Sequence, residues 1–230
     1  MPIYLNCEEE TVKLDAEATA IVSCGTLRPE LTRLAEEGFL NREKLFFTAP
    51  GLHERMPMLE SQLTKRLEQA KAVSKRVIVV YGKLCYVDVS DPYRAVDALC
   101  AEAGSNVARV KAANCVDMLA DEAMRERIAN GSKVYWFTPG WILYWNAVFY
   151  EWDVGKYNET FGRFDRAILL DPIGLYDRML EEEPEKILEL SDRMGIPFES
   201  YFVSLDRLKS LLLDAESSLD QSSVTEASGE

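Results

Sequence analysis

Three cysteines stand just beyond three apolar, β-rich runs, the place where an α/β protein usually keeps its ligand site. Cys24 closes the run at residues 19–24 (TAIVSC). Cys85 lies just past RVIVVYG at 76–82, and Cys115 follows VARV at 107–110 after a short polar stretch. His53, the only histidine, sits in a loop containing Pro and Gly, directly after the short run LFFT at 45–48. Thiolates and imidazole are donors that zinc, reduced iron and iron–sulfur clusters accept. These residues therefore predict a metal or iron–sulfur centre on Cys24, Cys85 and Cys115, with His53 as fourth ligand or nearby acid or base. An open coordination position there would serve thiol or methyl-group chemistry as a Lewis acid.

Four more residues are expected to shape the pocket for a small-molecule ligand or cofactor. Tyr81 and Gly82 end the clearest strand, and Gly82 permits either close backbone approach to a ligand or a turn of positive φ. Asn114 orients a polar ligand group or caps the helix that follows. Trp141 belongs to an aromatic-rich stretch at 136–152. Its rings wall a planar cofactor, or they form core or a homodimer interface, where aromatics are common. Arg163 and Arg166 flank the next strand and suit a carboxylate or phosphate, or ordinary surface ion pairs. A plainer reading stands beside each cysteine, which is among the residue types most often buried as a small hydrophobe. The spacing matches no zinc finger or ferredoxin, and there is no CxxC. P-loop, dinucleotide, HExxH and GxSxG signatures are missing as well.

The elements that must position these residues alternate. Strands are predicted at 19–24, 45–48, 76–81, 107–110, 133–138 and 166–170, with a last one at 200–204. Helices are predicted from Pro29 to 37, at 56–73, after Asp91-Pro92, at 115–130 with Gly131 closing it, from Pro139 onward, and at 154–164, 184–194 and 205–213. The helix at 56–73 buries Leu59, Leu63, Leu67 and Ala70 as one stripe. This order predicts an α/β fold: a mostly parallel sheet with helices on both faces, a Rossmann-like three-layer sandwich. Ligands in such folds bind outside the carboxyl ends of the strands, which would collect the cysteines, His53 and the loop at 138–140 on one edge. We expect a single α/β domain over residues 1–213, with a leading arm at 1–18 that carries Cys7. Residues 214–230, rich in Ser, Asp and Glu without a basic side chain, predict a disordered acidic tail.

Composition narrows the class of protein. Over 230 residues, 47% hydrophobic and 28% charged is ordinary for a soluble protein. A net charge of -13 disfavours nucleic-acid backbones and anionic membranes as partners. No uncharged run reaches membrane-spanning length, and the polar, acidic start is unlike a secretory leader. The expected location is cytoplasmic, where thiols stay reduced, and five widely spaced cysteines do not suggest a disulfide framework.

The order of landmarks also resembles a known group. It runs through Cys24-Gly25 with Leu27 and Glu30-Leu31, Gly51 to His53 with Pro57, and Tyr81-Gly82 with Cys85. It continues with Asn114-Cys115, Thr138-Pro139 with its aromatic helix, and the strand at 166–171. In this the chain resembles the family catalogued as domain of unknown function 1638. The resemblance implies one-carbon or methyl-group metabolism, with a corrinoid as cofactor or a corrinoid or methyltransferase protein as partner. No DxHxxG motif surrounds His53. Two alternatives stand beside the metal reading: a corrinoid-related accessory protein without its own metal, and a structural or regulatory oligomer whose cysteines are core.

Overall fold

The structure is a computed structural model that describes residues 13–227, with side chains up to residue 221. Cys7 and the leading arm up to residue 12 lie outside the described residues. The first part of the chain alternates β1 (Thr19–Ser23), α1 (Arg28–Glu36), β2 (Leu45–Phe47), α2 (Met56–Val73), β3 (Arg76–Val80), α3 (Val96–Ala103) and β4 (Val107–Arg109). The short helices α4 (Cys115–Leu119) and α5 (Glu122–Ala129) follow. The second part comprises β5 (Val134–Phe137), α6 (Pro139–Leu143), α7 (Trp145–Val148), α8 (Val154–Phe161), β6 (Arg166–Asp171), α9 (Leu175–Glu182), α10 (Pro184–Met194), β7 (Phe198–Phe202) and α11 (Asp206–Ala227).

The fold is α/β, and the strands pair in parallel. They form two sheets rather than one continuous sheet, in the orders β2-β1-β3-β4 and β5-β6-β7. Successive strand residues point to opposite faces, so a strand covered on both sides must be apolar throughout. β1 and β3 obey this. Ala20, Val22, Val77 and Val79 pack with Leu59, Leu63 and Leu67 of α2 and Leu99 of α3. Ile21, Ile78 and Val80 face the other way, onto Leu31 and Leu34 of α1, Met118 of α4 and Leu208 and Leu212 of α11. The first sheet is thus the middle of three layers.

The second sheet divides its side chains in the same manner. Phe137, Ala167, Leu169 and Phe198 enter an aromatic core with α6 to α10. Trp136 and Leu170 turn instead to the core shared with the first sheet. The aromatic stretch is therefore mainly interior packing: Trp145 and Phe149 are buried, and their rings lie 4.3 Å apart.

Four expectations change in detail. The helix predicted at 115–130 breaks at Ala120, which is extended, and Asp121 caps a new helix by accepting from Met124 N at 2.8 Å. The aromatic helix breaks at Tyr144, between α6 and α7. The last strand begins at Phe198 rather than 200. The disordered tail predicted from 214 is corrected most clearly: α11 continues through it to Ala227. Ala215 and Leu219 join the core, and Glu216 is buried. Glu216 accepts from Thr19 Oγ1 at 2.8 Å and from Asp15 N at 3.2 Å, so an acidic composition here conceals a docked helix.

Candidate functional site

Each predicted site residue follows the carboxyl end of a strand. Cys24 follows β1 and begins a tight 3-10 turn, Gly25–Leu27, that leads into α1. Thr26 Oγ1 donates to Cys24 Sγ at 3.1 Å, and the Tyr81 hydroxyl lies beside the same sulfur. Tyr81 follows β3, is buried, and shares a hydrogen bond with the Thr48 hydroxyl. Cys85 lies in the turn after Tyr81-Gly82, its amide donating to the Gly82 carbonyl at 3.1 Å. Cys115 opens α4, and His53 sits in a 3-10 turn, Leu52–Glu54. The His53 ring stacks on Trp141 of α6 at 5.4 Å between centroids and 25° between planes.

All eight residues line one cavity of about 190 Å³: Cys24, His53, Tyr81, Gly82, Cys85, Asn114, Cys115 and Trp141. Its remaining walls are mainly apolar, with Leu27, Leu52, Leu59 and Met118 among them. The three cysteines are free and half-buried. They sense one another: charge on Cys24 raises the Cys85 pKa, and charge on Cys85 and Cys24 raises that of Cys115. As the side chains stand, no group of three or more His, Cys, Asp or Glu among the described residues is arranged to clasp a metal ion.

Two of the eight have clear structural duties. A Cβ at position 82 would overlap the backbone of Ala113 and Asn114, so Gly82 lets the loop before α4 lie against the end of β3. The close approach is to protein rather than ligand, and φ at Gly82 is not positive. Asn114 caps α4, its side chain accepting from Asp117 N at 2.9 Å. Arg109, which the sequence does not single out, fastens the same region. Its Nη1 donates to the carbonyls of Tyr81 at 3.1 Å, Val110 at 2.6 Å and Ala112 at 3.1 Å. Arg163 and Arg166 pair instead with Glu159 at 3.1 Å and Glu199 at 2.9 Å, the surface alternative.

The cavity keeps its thiols protonated. Burial pushes the Cys24 pKa up, although hydrogen bonds from Thr26 and Tyr81 work against it. Burial, then the charge of Cys24, lifts Cys85 to about 11. Burial raises Cys115 further, opposed by the Trp141 indole N–H, which faces that sulfur without a hydrogen bond of normal geometry. Burial lowers the His53 pKa, opposed by the charge of Glu54 and aided by that of Lys156, which favours the neutral imidazole.

A buried acid stands behind the thiols. Glu30 of α1 is fully buried, and neither carboxyl oxygen has a partner among the described residues. Burial, with the charge of Asp171, raises it to about 8. Glu30 is near enough that its own charge raises both Cys24 and Cys115. Asp171, at the end of β6, accepts from Ile173 N at 3.1 Å and Tyr176 N at 2.8 Å. The sequence hides Glu30, because a glutamate in the first turn of a helix is an ordinary surface residue.

A family model described as Protein of unknown function (DUF1638) matches residues 47–212. The chain belongs to this family. No curated protein and no solved structure matches it. Within the DUF1638 match lie His53, Tyr81, Gly82, Cys85, Asn114, Cys115 and Trp141, while Cys24 and Glu30 precede it. No helix among the described residues of this DUF1638 chain is long and apolar enough to cross a membrane.

Proposed function

We propose that the cavity binds a thiophilic metal centre through Cys24, Cys85 and Cys115, with His53 beside it as fourth ligand or proton carrier. The observation that carries this reading is that thiols from three separate strand–helix connections line one small, mainly apolar cavity. Close packing normally fills the space between core side chains, so a cavity left among three thiols favours a ligand there. Soft donors, a neutral imidazole and apolar walls suit zinc or an iron–sulfur cluster. Were the centre held by the three thiolates alone, it would supply Lewis-acid chemistry, with His53 left beside it as proton carrier.

The size of the cavity bears on the ligand. About 190 Å³ is below the roughly 300–1,000 Å³ of pockets for drug-sized molecules, so the centre and a small group fill it. That suits the one-carbon or methyl-group chemistry suggested by the family resemblance. A corrinoid, or a corrinoid or methyltransferase protein carrying one, would meet the cavity at its mouth rather than inside it.

The test is elemental analysis with a visible spectrum on protein purified without oxygen, beside Cys24→Ser, Cys85→Ser and Cys115→Ser variants. Stoichiometric metal in the wild type and its loss in each variant would support a shared centre and name its element. Wild-type protein that carries no metal and takes none up on anaerobic reconstitution would sink the metal reading. The cavity would then be a site for a small apolar ligand.

A further inference from the structure

On the other side of α6 from the thiols lies a second, larger cleft of about 560 Å³. Trp141 of α6 lines the thiol cavity, whereas Leu143 of the same helix and the adjacent Tyr144 line this cleft. Four arginines reach it: Arg28 and Arg33 from α1, Arg42 from the turn before β2, and Arg178 from α9. Arg33 is engaged by Glu37 at 3.0 Å. Arg28, Arg42 and Arg178 form no ion pair among the described residues. Arg28 is held over the Phe47 ring at 4.2 Å, and Arg178 Nη1 donates to the Ile173 carbonyl at 2.8 Å, leaving the rest of each fork free. One carboxylate, Glu36, is also on the wall.

In a chain with 39 acidic and 26 basic side chains, three unpaired guanidinium groups around one cleft leave a local positive excess. A planar guanidinium fork matches the oxygen pairs of phosphate and carboxylate. Three unpaired forks suit a group that carries more than one negative charge. Leu143, Tyr144 and Ile173 supply an apolar wall, and the volume lies in the range that holds an organic molecule.

We propose that this cleft binds a phosphate ester, its phosphate held by Arg28, Arg42 and Arg178 and its organic part laid against Tyr144 and Leu143. The proposal does not depend on what the thiol cavity holds. The full-length protein is titrated calorimetrically at low ionic strength with inorganic pyrophosphate, with adenosine diphosphate and with citrate. Saturable binding of pyrophosphate and tighter binding of adenosine diphosphate are expected, with citrate weaker than both. Arg42→Gln and Arg178→Gln should each weaken binding about tenfold, the loss of one charge-assisted contact at an exposed site. Arg163→Gln, which removes a guanidinium engaged by Glu159, should change nothing. Arg42 is exposed and has no described hydrogen bond, so its variant keeps the fold, as circular dichroism would verify. Failure of both phosphate probes to saturate the wild type, or unchanged binding in an Arg28→Gln/Arg42→Gln double variant, would overturn the proposal. Citrate binding as tight as pyrophosphate would overturn its phosphate assignment.

Discussion

The two cavities flanking α6 use opposite physics. The thiol cavity is small, mainly apolar and lined by groups that burial keeps neutral. The arginine cleft is about three times larger, open to solvent at its exposed guanidinium groups, and carries charges that no pH near neutrality removes. A ligand of the first must displace protons; a ligand of the second must displace water and counterions. One short helix separates them, so its placement governs both. Gly140 of α6 shows how tightly it is placed, for a Cβ there would overlap the Thr26 carbonyl, the turn that follows Cys24.

The largest break in the comparison should come from Gly140→Ala. The overlap is with backbone, which cannot rotate away, so α6 and the Gly25–Leu27 turn must separate. We expect a stability loss of about 4 kcal/mol, at the severe end of overpacking. Urea unfolding would measure it. Metal content and pyrophosphate affinity should fall together, since both cavities share the helix. A variant with wild-type stability would show that the helix and the turn are not held in contact.

Changes of pH and salt should then separate the two sites. Thiols raised by burial are protonated at neutral pH and lose protons when a metal binds. If all three give up a proton, metal affinity should rise about a thousandfold per pH unit across neutrality. Competition with a chelator of known affinity at several pH values reads the slope. Added salt should leave that affinity nearly unchanged and should weaken pyrophosphate at the arginines. A flat pH profile for the metal would mean thiolates already formed in the empty cavity, against the burial described above.

Glu30 gives a smaller effect with a definite sign. Its pKa is about 8 in the folded chain against an ordinary value of 4.5. The unfolded chain therefore ionises first as pH rises, and the folded state loses stability between those values. Below the ordinary value the neutral carboxyl costs nothing extra; above pH 8 the whole penalty is present. Unfolding free energy should drop by about 3 kcal/mol between pH 5 and 8 in the wild type. Glu30→Gln, which has no proton to lose, should flatten that part of the profile and be the more stable protein at pH 8. Equal slopes for the two proteins would show that Glu30 is ionised in the folded state.

What the sequence disclosed follows the same division. The thiol cavity was legible because parallel α/β topology sends every strand to one edge, and β-branched runs mark the strands. Cys24, Cys85 and Cys115 could be placed relative to those runs without knowing the packing. The arginine cleft was not legible, because Arg28, Arg42 and Arg178 come from a helix start, a loop turn and a late helix, with no shared period. Arg163 and Arg166 looked more suitable, being beside a strand, yet nearby glutamates engage both. Glu30 was hidden because a first-turn glutamate is ordinarily exposed, and the Asp171 charge that acts on it comes from far along the chain. The tail was misread because Ser, Asp and Glu outweigh the apolar residues in composition, although Leu212, Ala215 and Leu219 recur at helical spacing and reach the core.

The smallest effect sharpens the boundary between shaping the thiol cavity and acting in it. Asn114 lines the cavity, and its side-chain oxygen accepts from Asp117 N. A capping oxygen already engaged by the helix it starts is poorly placed to orient a ligand as well. Asn114→Ala should cost about 1 kcal/mol of stability, the usual loss of an N-cap. Asn114→Asp, which caps equally well, should restore it. Metal content should be unchanged in both, because Gly82 and Arg109 still hold the loop against the end of β3. If alanine removes the metal and aspartate does not return it, the amide itself touches the centre. Asn114 would then belong with Cys115 rather than with the scaffold that presents it.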